Sequence, residues 1–352
     1  MSKIHKAALA LPLALGLLLV AGCTSGAEES GPEQPLSVEG GSVEISLPAD
    51  TNLADMNDVA SDVFAGKSVI FVPQGLGYPI HDSQNAELAL QMGNIGVDYE
   101  VMDPANDPQK QVANLQAAIQ KKPDVLVVIS LDPQITAKLL TEAQDAGIYV
   151  IQSNLQSTTI TDAYVGPDFR DEGLLLGQLV AEKCEGKKVG LLHALPNSSF
   201  DIAATDGFKS VADESGMTIV SEQSSGLDPS VAATMSTAMM QQSPDLCGIA
   251  GTYDESMIGA GNAVSSAGKT GKIGVWTMGG GNASCIGVRD GIFDGATASN
   301  GPRLGIQVAS VIQMLLESNI GAGNSRFAVY TPLIRITAEN YFEPNICYSV
   351  TK

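Results

Sequence analysis

The side chains best able to do covalent chemistry are few and poorly spaced for it. Histidine occurs only as His5, His81 and His193. His81-Asp82-Ser83 contains the residue types of a charge-relay set, but adjacent side chains diverge, so a contiguous run cannot pre-form one. The sequence has no Gly-x-Ser-x-Gly, no phosphate-cradling loop and no cluster with metal-ligand spacing. Gly259-Ala-Gly261 and Gly279-Gly-Gly281 lack the strand-then-Gly-x-Gly-x-x-Gly context of a dinucleotide site. The inventory argues against an enzyme and implies neither a cofactor nor a metal.

Cysteine spacing points the same way. Cys184, Cys247, Cys285 and Cys347 form no Cys-x-x-Cys and lie too far apart for a zinc or redox motif. An even number in an exported chain suggests two structural disulfides, with three pairings open. Export is read from the N-terminus. A basic start (Lys3, His5, Lys6) precedes the apolar run Ala7–Val20, which is short for a bilayer span, and then Ala21-Gly22-Cys23. Residues 1–22 therefore read as a signal peptide. The Val-Ala-Gly-Cys ending looks like a bacterial lipobox, which implies lipidation of Cys23 and anchoring to the outer face of the cell membrane. Residues 23–65 would be the lipidated N-terminus and linker, with a short helix over Leu53–Phe64. With 19 basic against 39 acidic residues the net charge is −20. That argues against nucleic acid and against anionic membrane surfaces, which demand a cationic face.

The elements that must position any site alternate from Ser68 onward. Strands are expected at 68–72, 98–102, 125–129 and 148–152, separated by helices with apolar residues at helical spacing, such as Val112, Leu115 and Ile119. Val125-Leu-Val-Val-Ile129 is continuously apolar, as a strand covered on both faces must be. The alternation restarts with strands at 188–192, 217–221, 248–251 and 272–276. This predicts an α/β protein of two doubly wound parallel-sheet domains in tandem, with ligands held beyond the carboxyl ends of the strands.

Several stretches, in order, resemble one family. They are Asp103-Pro-Ala-Asn-Asp-Pro-Gln-Lys-Gln111, Pro123–Asp132, Tyr164-Val-Gly-Pro-Asp168 with Gly173, Thr252–Gly259, Ala296–Pro302, and Thr331-Pro332 with Ile336–Asn340. From about Gly66 to Asn340 the chain is similar to the type I periplasmic binding proteins of the ribose/galactose class, which serve ABC importers. The resemblance implies a monomer whose partners are a small solute (sugar, glycoside, cyclitol or related) and a membrane permease. It implies lobe I at 66–155 plus 282–325, lobe II at 156–281 plus 326–352, and a three-segment hinge. The crossings would fall near residues 154–161, 279–281 and 322–329. That layout also implies the pairing Cys184–Cys247, leaving Cys285–Cys347.

The same resemblance implies the ligand-binding set. Asp132, Asn154, Asp168, Asp254 and Asn300 would grip hydroxyls, and Gln74 and Tyr78 would fill the first strand-to-helix loop. Asp132 serves equally well as a helix cap. Four positions depart from the sugar pattern: Phe169 replaces an Asn, Ala204 an Arg, Tyr253 an Asn and Met278 an acid. Trp276 shares a strand face with Met278. The cleft is thus expected to be more aromatic and less charged than that of a free-aldose binder, suiting a ligand with a ring face. A binder of a non-sugar aromatic or nucleoside-like solute, and a ligand-sensing receptor feeding a membrane sensor, are the alternatives.

Overall fold

The computed structural model describes residues 63–342 apart from 156, 280 and 281. The expected signal segment, Cys23, most of the expected linker, Gly280, Gly281 and Cys347 lie outside the described residues. So does most of the Leu53–Phe64 helix, of which Val63 and Phe64 are helical.

Apolar strands separated by amphipathic helices can bury themselves only between helical layers, and they do so twice. The first sheet comprises β1 (Ser68–Val72), β2 (Asp98–Val101), β3 (Val125–Val128), β4 (Tyr149–Ser153), β5 (Ala163–Gly166) and β11 (Phe327–Tyr330). Its order is β11-β5-β4-β3-β1-β2, parallel throughout. The second comprises β6 (Lys188–His193), β7 (Thr218–Ser224), β8 (Leu246–Gly251), β9 (Gly274–Gly279), β10 (Gly295–Ala298) and β12 (Ile334–Ile336). Its order is β12-β10-β9-β8-β6-β7, with β12 antiparallel.

Residues alternate between two buried faces along each strand, as the unbroken apolar runs require. In the first sheet Val69, Phe71, Val125 and Val127 pack against α1 (Pro79–Asn94) and α9 (Gly301–Glu317) through Leu88, Met92, Leu304 and Val308. Ile70, Val72, Leu126 and Val128 face α2 (Pro108–Lys121) and α3 (Pro133–Asp145) through Leu115 and Leu140. The second sheet is covered on one side by α4 (Phe169–Cys184) and α5 (Ser199–Glu214). On the other lie α6 (Pro229–Gln242), α7 (Asp254–Ser266) and α8 (Asn282–Arg289).

Helix starts follow local chemistry. Asp107, Asp132 and Asp228 each cap a helix whose next residue is proline, so a carboxylate takes orphan N–H groups and the ring pre-sets φ. Helices α4 and α5 touch through glycine: a Cβ on Gly173 would lie 1.9 Å from the Ala204 carbonyl oxygen.

The crossings differ from those the resemblance implied. Strand β5 pairs with β4 through Ile151↔Ala163, so the chain leaves the first sheet only after Gly166. It leaves the second after Ala298, because β10 pairs with β9, and the first again after Tyr330, because β11 pairs with β5. Each crossing falls later because a four-residue strand first satisfies the open backbone of its neighbour. The expected lobe boundaries shift accordingly: β5 and β11 belong with the first sheet, α8 and β10 with the second.

Cys184 and Cys247 are bonded, tying the end of α4 to β8 across 63 residues. In the loop-closure model a bridge of that span stabilises by about 4 kcal/mol. Cys184→Ser with Cys247→Ser is therefore expected to lower the melting temperature by about 10 °C in calorimetry. An unchanged transition would show that the bridge does not constrain the unfolded chain.

Candidate functional site

Parallel strands present their last residues, and the loops after them, at one end of each sheet. A cavity of about 250 Å³ lies there, lined from both sheets' sides. Gln74, Tyr78 and His81 reach it from the β1–α1 loop and α1, and Asn154 from the end of β4. Phe169 and Glu172 come from α4, Tyr253 from the β8–α7 turn, Asp254 and Glu255 from the first turn of α7, and Met278 from the end of β9.

Of the eleven side chains expected to bind ligand, seven line this cavity: Gln74, Tyr78, Asn154, Phe169, Tyr253, Asp254 and Met278. Asp132, Asp168 and Asn300 do not, because each caps a helix instead. Asp132 accepts from the Gln134 and Ile135 amides, Asp168 from those of Arg170 and Asp171, and Asn300 from that of Arg303. Trp276 does share a face with Met278, but two residues earlier it lies deep in the core. Its ring sits where Cβ atoms on Gly248 and Gly274 would be, 2.3 and 2.1 Å away, with Lys183 Nζ 5.7 Å from the ring centroid. Ala204 is buried against Gly173 between α4 and α5, where an arginine would not fit.

Sequence reasoning missed His81, Glu172, Phe200, Thr252 and Ser299 as lining residues. Glu172 lies three residues after Phe169 on the same face of α4, but an acid in a first helical turn reads as solvent-exposed. Phe200 packs against Phe169 with centroids 5.5 Å apart. Glu172, Asp254 and Glu255 line the cavity, and no lysine or arginine does so among the described residues.

Asn154 is the most constrained of these. Its φ of 61° is left-handed, a region asparagine tolerates better than most residues. Its amide N–H donates to the Val165 carbonyl at 2.9 Å, and its own carbonyl accepts from the Tyr164 hydroxyl at 2.8 Å. The side-chain Nδ2 lies 3.4 Å from His81 Nε2, while His81 Nδ1 lies 3.0 Å from the Gly75 carbonyl. A carbonyl only accepts, so Nδ1 carries the proton and Nε2 accepts from Asn154. Burial holds the His81 imidazole below its ordinary value, hence neutral. Asn154 Oδ1 is buried with no hydrogen-bond partner among the described residues.

The acids are electrostatically exposed to one another rather than to water. Glu172 has one long bond, from the Thr297 hydroxyl at 3.5 Å, and burial, helped by repulsion from Asp254, pushes its carboxyl up to about 8. Asp254 accepts from Ser284 Oγ at 2.7 Å, yet burial still raises it to about 6. Tyr253 donates to Glu255 at 2.9 Å, and burial pushes its phenol up. Outside the cavity, His193 lies 3.1 Å from Asp201 and 2.8 Å from Glu222, which hold its imidazole above the ordinary range.

Two doubly wound sheets connected three times, with a shared cavity at their strand ends, define the type I periplasmic-binding-protein fold. The chain belongs to the family described as the periplasmic binding protein domain, whose model matches residues 48–320. The D-ribose/D-allose-binding protein of Pseudomonas aeruginosa is 30% identical over 175 residues, 47% of this chain and 55% of that one. The ribose import binding protein RbsB of Escherichia coli K12 is 23% identical over 255 residues, 72% of this chain and 82% of that one. The chain thus spans about half the length of the first of these relatives. Among solved structures, a periplasmic ribose ABC transporter protein from Conexibacter woesei shares the fold with a TM-score of 0.74 at 22% identity, covering 79% of this chain and 94% of that one. An ABC transporter solute-binding protein from Agrobacterium vitis with bound D-fucose gives 0.70 at 20% identity, covering 80% and 100%.

The raised acids have a consequence for stability. A carboxyl whose folded value exceeds its unfolded one favours folding below the unfolded value and loses that contribution as pH rises. For Glu172 the window runs from 4.5 to about 8, and for Asp254 from 3.8 to about 6. His193 acts in the same direction, its contribution present below 6.5 and lost above. His81, lowered by burial, acts the other way below 6.5, but the two acids span wider windows, so the protein is expected to be less stable at pH 8.5 than at pH 5. Glu172→Gln should recover on the order of a few kcal/mol at pH 8.5 and almost none at pH 4.5. Denaturant melts across this range check it, and a pH-independent difference would contradict the buried-acid account.

Proposed function

We propose that this protein is the extracytoplasmic solute-binding component of an ABC importer, holding a sugar or sugar-like molecule in the cavity between its two sheets. The observation that carries this reading is the cavity itself. Near 250 Å³ it lies at the small end of ligand pockets, which run to about 1,000 Å³, so it suits a single ring rather than an oligomer or peptide. Its lining combines rings (Tyr78, Phe169, Phe200, Tyr253) with hydroxyl and amide groups (Gln74, Asn154, Ser198, Thr252, Ser299). Buried hydroxyls need such polar partners, and rings cover the apolar face of a sugar or cyclitol. The sugar-named relatives support the same class of solute. Two lobes would close over the ligand by rotation at the three crossings, excluding water and presenting a new surface to a permease. Cleavage before Cys23 and lipidation of its sulfur would tether the protein outside the cell membrane. Among the described residues no helix is long and apolar enough to cross a membrane.

A thermal-shift screen against pentoses, hexoses, glycosides and cyclitols tests the reading. A true ligand at about 100 times its dissociation constant adds about 2.7 kcal/mol to stability and should raise the melting point visibly. No shift with any of them would overturn the assignment. Phe169→Ala with Tyr253→Ala removes two of the four lining rings, and should weaken binding of the best hit by about ten-fold or more. Unchanged affinity would show that the ligand sits elsewhere.

A further inference from the structure

We propose that the solute this cavity selects is cationic: an amino sugar, aminocyclitol or comparable polyol amine whose ammonium group sits against Glu172 and Asp254. The inference rests on the sugar-binding reading above and narrows its substrate class.

Three observations point to it. First, the charge in the cavity is one-sided. Glu172, Asp254 and Glu255 line it, and among the described residues no lysine or arginine does. A buried carboxylate is costly without a cation or several hydrogen bonds. Glu172 is 2% exposed and has only the 3.5 Å bond from Thr297. Second, the one lining side chain that could become positive is held neutral. His81 donates from Nδ1 to Gly75 and accepts at Nε2 from Asn154, leaving no proton to give the acids. Third, Asn154 lines the cavity while 6% exposed, and its buried Oδ1 has no hydrogen-bond partner among the described residues. An ammonium offers three donors and no acceptor, which suits Glu172 with its single long bond and Asn154 Oδ1 with none, while Asp254 already accepts from Ser284 and the Glu255 amide.

A metal ion is the weaker occupant. Among the described residues no three His, Cys, Asp or Glu side chains converge to hold one. The net charge of −20 also favours approach of a cation from solution.

The titratable groups that act on Glu172 are Asp254, at the start of α7, and Tyr164 on β5; Glu255, Tyr253, His81 and Tyr78 share the cavity lining with it. Below about 8 the Glu172 carboxyl holds its proton. An ammonium arriving beside it favours the carboxylate, so the proton leaves to buffer while the amine keeps its own. A neutral sugar provides no such drive.

The test is isothermal titration at pH 7 in two buffers of different ionisation heat. D-glucosamine, D-galactosamine, D-mannosamine and 1-amino-1-deoxy-scyllo-inositol are each compared with the matching neutral polyol. At least one amine is expected to bind about ten-fold or more tightly than its neutral partner, releasing up to about one proton. Glu172→Gln should lose that preference and the proton release, and its melting curve verifies that it folds. Neutral polyols binding as tightly as every amine, or amine binding with no proton release, would overturn this inference and leave the sugar reading standing. No binding by either series would overturn both.

Discussion

A strand buried on both faces offers a ligand nothing but its end, and that constraint organises this molecule. Both sheets spend their side chains on helices above and below, through Val69 and Phe71 on one face and Ile70 and Val72 on the other. What remains accessible are the loops beyond β1, β4, β8 and β9. Because the chain crosses at 166–169, 298–301 and 330–334, those loops from two sheets meet over one cavity. Burial of the sheets and placement of the cavity are thus one requirement seen from two sides.

The lining sets a second constraint. Helix α4 begins at its Asp168 cap, and the 3.6-residue period then turns Phe169, Glu172 and Gly173 to one side. Gly173 lets α5 approach to backbone contact, Phe169 meets Phe200, and Glu172 enters the cavity without a cation. The close helix pair and the buried acid therefore come as a unit. Any side chain at Gly173 would meet the Ala204 backbone, separate the helices and open the wall that keeps Glu172 dry. Stability is lower than it would be with an apolar residue at 172. Such a cost is understandable where a bound solute relieves it.

Much of this was legible in the chain. Asp-Pro pairs at 107–108, 132–133 and 228–229 marked helix starts, and the apolar runs marked strands with both faces covered. The cavity-facing Phe169, Tyr253 and Met278 followed from the family resemblance. Four kinds of feature were not legible. Strands β5, β10 and β11 are four residues long, too short for periodicity to set against loop, so the crossings implied by the resemblance fall early. Asp132, Asp168 and Asn300 are the same residue types whether they cap a helix or grip a ligand, and both tasks belong to the same strand-to-helix turn. Alternation gave the face of Trp276 but not its depth along β9. Glu172 in a first helical turn reads as an exposed partner of the helix dipole, and only the α4–α5 packing shows that it is buried.

The most direct single measurement is a crystal structure of the protein grown with a saturating monosaccharide or cyclitol identified by binding. The account predicts the solute between the two sheets, its ring against Phe169 or Tyr253, with Asn154 Oδ1 accepting one of its hydrogen bonds. A solute bound outside this cavity, or one inside it that leaves Asn154 Oδ1 without a partner, would contradict it.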